Sequence, residues 1–89
     1  MTSSGAFQRV TGSALRAYRE GRGQSLRGTA KRAGISVGHI AEIERGEKHV
    51  GSEIFAAICR ALDVPQAIII ADAADRMRAE EIKESEVAA

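Results

Sequence analysis

The chain has 89 residues, 44% of them hydrophobic and only 3% aromatic, with one cysteine and a formal net charge of +1. A lone Cys59 rules out an internal disulfide, no secretory signal pattern opens the sequence, and no apolar run approaches the ~18 residues of a membrane span, so a reduced, cytoplasmic protein is expected. The small net charge hides an asymmetry: Arg9, Arg16, Arg19, Arg22, Arg27, Lys31 and Arg32 are opposed by Glu20 alone over residues 9–32, whereas residues 72–86 carry six acidic and three basic side chains.

The first part of the chain can therefore face phosphate and the last part cannot. Few aromatics with abundant alanine and isoleucine favour packed helices over strands, so an all-α domain is predicted. Residues 1–10 carry Ser and Gly without a helical period and read as a flexible arm in which Phe7 is an isolated aromatic. A first helix is predicted from about Ser13 to Gly21, with Leu15 and Tyr18 inward and Gly21 and Gly23 ending it. The second begins after an N-cap at Ser25 and stops at Gly34, with Leu26, Ala30 and Ala33 on its inner face.

Ile35 and a second N-cap, Ser36, leave only a short turn before a third helix over Val37 to about Arg45, which buries Ile40 and Ile43 and is stopped by Gly46. A fourth helix starts at Ser52, where Ile54, Ala57, Ile58, Ala61 and Leu62 follow an i, i+3, i+4, i+7, i+8 stripe. Pro65 suits the first turn of a fifth helix that nothing breaks before Ser85. That helix offers Ile68 and Ile69 to the core. Its second stripe, Ala67, Ile70, Ala71, Ala74 and Met77, needs a second surface to bury it, and is read as a homodimer contact in preference to a frayed, solvated tail. The expected organisation is an arm over 1–10, a domain over 11–70, and a helical extension with a flexible tail over 71–89.

Residues 24–46 meet the requirements of a helix-turn-helix. Ala30 is small where two helices cross, Gly34 supplies a positive φ, and Ile35, Ile40 and Ile43 pin the third helix against the second. Its opposite face, Val37, Gly38, His39, Glu42 and Arg45, is then presented outward.

An Arg-bearing first helix, Ser25-Leu26 opening the second, Ala33-Gly34-Ile35-Ser36 at the turn and Ile43-Glu44-Arg45-Gly46 at the close together resemble the Cro/CI (XRE) type of helix-turn-helix regulator over about residues 11–70. Stretches from His39 to Met77, among them Ile58-Cys59-Arg60-Ala61-Leu62-Asp63-Val64-Pro65, are similar to the actinobacterial regulators of Clp protease genes. The resemblance implies a five-helix, lambda-repressor-like DNA-binding domain with an extended C-terminal dimerisation helix, acting on double-stranded DNA with a palindromic operator. It implies that Leu26 and Arg27 lie near the DNA backbone, that Val37, Gly38 and Glu42 point at base edges, and that His39, Arg45, Lys48 and His49 contact phosphate. Arg16 and Lys31 join Arg27, Arg45 and Lys48 as candidate phosphate contacts, and the likeness pairs Arg19 with Glu44 as a structural ion pair. Glu47 stands where close members of that group carry a basic residue, which implies a different operator.

Glu42 can accept from cytosine N4 and Val37 can touch a thymine methyl, but Gly38 has no side chain to read with. Phosphate positioning and DNA shape must then carry much of the recognition. His39, His49 and a distant Cys59 do not make a metal site, and Cys59 reads as a small core residue. No cofactor motif or nucleophile with a neighbouring base appears, so an enzyme is not expected. The terminal Val87-Ala88-Ala89 resembles the tags that Clp proteases recognise, which makes such a protease a candidate partner. An antitoxin-like interaction module that binds DNA secondarily is the rival reading, kept open by the near-neutral charge and the acidic tail.

Overall fold

A computed structural model describes residues 4–88 and shows five helices in them: α1 (Ser4–Gly21), α2 (Leu26–Ala33), α3 (Val37–Glu44), α4 (Ser52–Leu62) and α5 (Gln66–Ala88). The all-α, five-helix class therefore stands, with no strand among the described residues. The boundaries follow from local chemistry. The Ser25 hydroxyl accepts from Gly28 N–H at 2.9 Å and the Ser36 hydroxyl from His39 N–H at 3.0 Å, each satisfying an orphan donor of a short helix. Gly34, at φ 77°, ends α2 by turning the chain so that Ile35 N–H reaches Ala30 O at 3.0 Å. Asp63 ends α4 at φ 55°, a left-handed cap on a residue other than glycine.

Leu15 of α1, Thr29 and Ala30 of α2, Ile40 and Ile43 of α3, Ile58, Cys59 and Leu62 of α4 and Ile69 of α5 meet in one core. Every helix contributes at least one of these side chains. Each large aliphatic among them is worth about 1.5–3 kcal/mol of burial.

Three expectations are corrected here. The arm expected over residues 1–10 is helical from Ser4 onward, with Val10 buried, while residues 1–3 lie outside the described part. The cause is tertiary: the N-terminal half of α1 lies along α5, and Arg9 Nη2 meets Glu80 Oε1 at 2.6 Å across 71 positions of sequence. Ile68 is half exposed, and Ala73 takes the inner place beside Ile69, because four residues from Ile69 returns to the same helix face. Finally, α5 runs on through Ala88, so Val87 and Ala88 of the expected flexible end are helical, and Ala89 lies outside the described residues.

The extended α5 makes the molecule elongated, 46 × 21 × 21 Å. It turns sharply from α4 at Pro65, by 107°, and among the described residues no single helix is long and apolar enough to cross a membrane.

Candidate nucleic-acid interface

The face formed by α2 and α3 is positioned from behind by α1. Gly12 is buried where α1 crosses the end of α3, and a Cβ there would collide with the Ile43 carbonyl oxygen and stand 2.7 Å from that of Glu44. Only glycine permits that approach. Seven residues along, Arg19 closes the same contact: Nε donates to Glu44 Oε2 at 2.7 Å and Nη2 to Oε1 at 3.0 Å, while Nη1 donates to Gln24 O at 2.8 Å. Both side chains are nearly buried, 11% and 6% exposed, and the Glu44 carboxylate raises the Arg19 pKa above its ordinary value.

With Ile40, Ile43 and Glu44 turned inward, the outer side of α3 is Val37, Gly38, His39 and Glu42, with Arg45 at its end. Val37 is half-buried and packs on the core edge. Gly38 faces open space, with room for a side chain. His39 and Glu42 are partly exposed, and Leu26 is half-buried at the start of α2 beside exposed Arg27. Lys31, Arg45, Lys48 and His49 are exposed.

The basic N-terminal stretch is less available than its composition suggests. Arg9 is held by Glu80, Arg16 by Glu20 one turn on, and Arg19 by Glu44. Arg22 donates to Asp63 O at 2.9 Å and stacks over Tyr18, and Arg32 donates to Ala61 O at 3.2 Å, so these two arginines cap the carbonyl end of α4. Among the described residues, Arg27 and Lys31 alone of the seven engage no acceptor. Arg45 is also engaged, bidentately by Glu47.

The stripe expected to contact a second copy is split. Ala67, Ile70, Ala71 and Ala74 are exposed, whereas Met77 is half-buried against the protomer's own core. Ile70, Ala74 and Met77 join Phe7 and Val50 in an apolar groove of about 380 Å³ between α1, the α3–α4 loop and α5. His49 lines that groove too.

Sequence reasoning missed Gly12, although a lone glycine inside a helical pattern is a signal of close backbone approach. It also missed the partners of Arg22, Arg32 and Arg45, which no spacing rule reveals. Cys59 is buried, and burial pushes its thiol up to about 11. Among the described residues, no cluster of three His, Cys, Asp or Glu side chains could hold a metal.

A helix-turn-helix domain family matches residues 12–68. The transcriptional regulator ClgR of Mycobacterium tuberculosis is 42% identical over 72 residues, covering 81% of this chain. The chain spans 64% of that relative's length. The crystal structure of the clp gene regulator ClgR from Corynebacterium glutamicum superposes with a TM-score of 0.86 at 34% identity, covering 91% of this chain and 86% of that one. The restriction-modification controller protein C.AhdI from Aeromonas hydrophila superposes with a TM-score of 0.66 at 25% identity, covering 67% of this chain and 91% of that one.

Proposed function

This chain belongs to the helix-turn-helix domain family, of the Cro/CI type, and from that premise we propose that it is a homodimeric transcription regulator that reads duplex DNA with α3 and controls Clp protease genes. The observation that carries the reading is the two-sided character of α3. Ile40, Ile43 and Glu44 fasten it to α1 and α2, whereas Gly38 and Glu42 lie on the other side, with half-buried Val37 at its edge and nothing of the described chain over Gly38.

Arg27 and Lys31 on α2 supply the free cations that position the domain on phosphates, with Lys48 beside the end of α3, and Leu26 and His39 lie along the same approach. Arg16 serves as a phosphate contact only by exchanging its exposed partner Glu20. Base reading falls to Glu42, through cytosine N4, and to Val37, through a thymine methyl, which leaves shape and backbone contacts a large share.

The dimer reading is supported by Ile70, Ala71 and Ala74, an exposed apolar strip that continues into the groove at Phe7. A symmetric dimer of such domains would present two α3 helices to successive major grooves about 34 Å apart, which suits a palindromic site. Clp genes enter as the target through likeness to ClgR of Corynebacterium glutamicum, a clp gene regulator.

Anisotropy titrations of labelled duplexes at two salt concentrations test this. Promoter fragments of the Clp genes from the protein's own genome are expected to bind tightly and in a salt-dependent way, and unrelated duplexes about 10³-fold or more weakly. Equal, weak binding to all duplexes contradicts the reading. Sedimentation equilibrium with Ile70→Asp is expected to give a monomer and to weaken operator binding.

A further inference from the structure

The reading helix ends in two charges that cancel. Arg45 caps α3, Gly46 reverses the chain at φ 76°, and Glu47 returns its carboxylate over the guanidinium. Nε donates to Glu47 Oε2 at 2.9 Å and Nη2 to Oε1 at 3.0 Å, with both side chains about half exposed. Glu47 is fixed in that position by its backbone, whose N–H reaches Glu42 O at 2.9 Å. The hydrogen bonds to Glu47 raise the Arg45 pKa and those from Arg45 lower that of Glu47, so both stay ionised at neutral pH and the pair has no net charge.

A cation releases counterions from DNA only in so far as its charge is free to meet a phosphate. Arg45 has two of its five N–H donors taken and a carboxylate beside it that any approaching phosphate must also approach. An exposed pair of this kind is readily exchanged, because water screens it. Glu47 thus sets a competition in place and does not lock the arginine away.

We infer that Glu47 sets the affinity of this domain for DNA: it withholds Arg45 from the phosphates and places a negative charge at the exit of α3, making binding weaker and less salt-dependent than the cations around α3 would otherwise give. The inference rests on the DNA-binding reading above. It assigns to Glu47 the part of a brake on positioning contacts, acting on all duplexes alike.

The test is a titration of the intact chain, wild type, Glu47→Gln, Arg45→Gln and the double variant, against a labelled operator duplex and an unrelated duplex at about 50 mM and about 200 mM salt. Glu47→Gln is expected to tighten binding to both duplexes about three- to ten-fold at the lower salt and to steepen the salt slope by about one unit. Arg45→Gln alone, which leaves the Glu47 carboxylate unpaired, is expected to weaken binding to both duplexes, and the gain from Glu47→Gln is expected to be smaller in that background than in the wild type, because no arginine is released. Unchanged binding by Glu47→Gln overturns the inference while leaving the regulator reading intact. So does weaker operator binding with an unaltered slope, which would make the pair a base-reading unit. Failure of the wild type to bind any duplex sinks the regulator reading, and this inference with it. Thermal melts of the variants are expected to overlay the wild type, so that a folding defect is excluded.

Discussion

Two Arg–Glu pairs of nearly the same geometry meet at the C-terminal end of α3, one on its last residue, Glu44, and one on the cap, Arg45, and do different work. Arg19–Glu44 and Arg45–Glu47 are both bidentate, with donor–acceptor distances of 2.7 and 3.0 Å against 2.9 and 3.0 Å. The first pair is 11% and 6% exposed and the second 53% and 55%. In the first, water cannot replace a lost partner, so the pair fixes how α1 sits on α3 and hence which face α3 turns outward. In the second, water can take either partner's place and a phosphate can take that of Glu47, so the pair regulates contact and contributes little to the fold. Burial, not bond geometry, assigns the roles.

If that contrast holds, the largest effect comes from stranding a buried charge. Glu44→Ala leaves Arg19 without its carboxylate and is expected to cost about 3–5 kcal/mol, measured by urea denaturation. A loss below about 1 kcal/mol would erase the distinction between the two pairs.

Glycines sharpen the same division between the inner and outer sides of the reading unit. Gly12→Ala drives a methyl into the backbone of Ile43 and Glu44 and is expected to cost about 1–3 kcal/mol. Gly38→Ala meets open space on a helix and is expected to stabilise by about 0.5–1 kcal/mol while altering duplex binding. A destabilising Gly38→Ala would mean that this side of α3 is covered.

The smallest effect concerns Cys59 at the inner end of the comparison. Burial raises its thiol from the ordinary 9.0 to about 11, so at pH 8 the thiolate population falls about a hundred-fold. Labelling by a thiol reagent is expected to be slow in the folded protein and to quicken in urea along the unfolding curve. Rapid labelling of native protein would show that the core opens locally.

Much of this arrangement is legible in the chain because it rests on short-range chemistry. Ser25, Gly34, Ser36 and Gly46 mark the ends of α2 and α3 through caps and positive φ, and Ile40, Ile43, Ile58 and Leu62 mark inner faces through helical spacing. The N-terminal half of α1 is not legible, since its helix is held by α5, with Arg9 and Glu80 at opposite ends of the sequence. For the same reason a count of cations overstates the phosphate-facing charge: Arg22 and Arg32 are consumed by the carbonyl end of α4. That Ala73 and not Ile68 accompanies Ile69 in the core is a matter of helix phase, which hydrophobicity alone does not decide.

The account stands or falls on which side of α3 meets DNA. Chemical-shift mapping of the labelled protein on a bound duplex addresses this directly. The account predicts perturbation concentrated at Leu26, Arg27 and Lys31 and at Val37, Gly38, Glu42 and Lys48, with the acidic half of α5 beyond Asp72 left unshifted. Perturbation confined to α5, or to α1 around Arg9, with α3 silent, would contradict it.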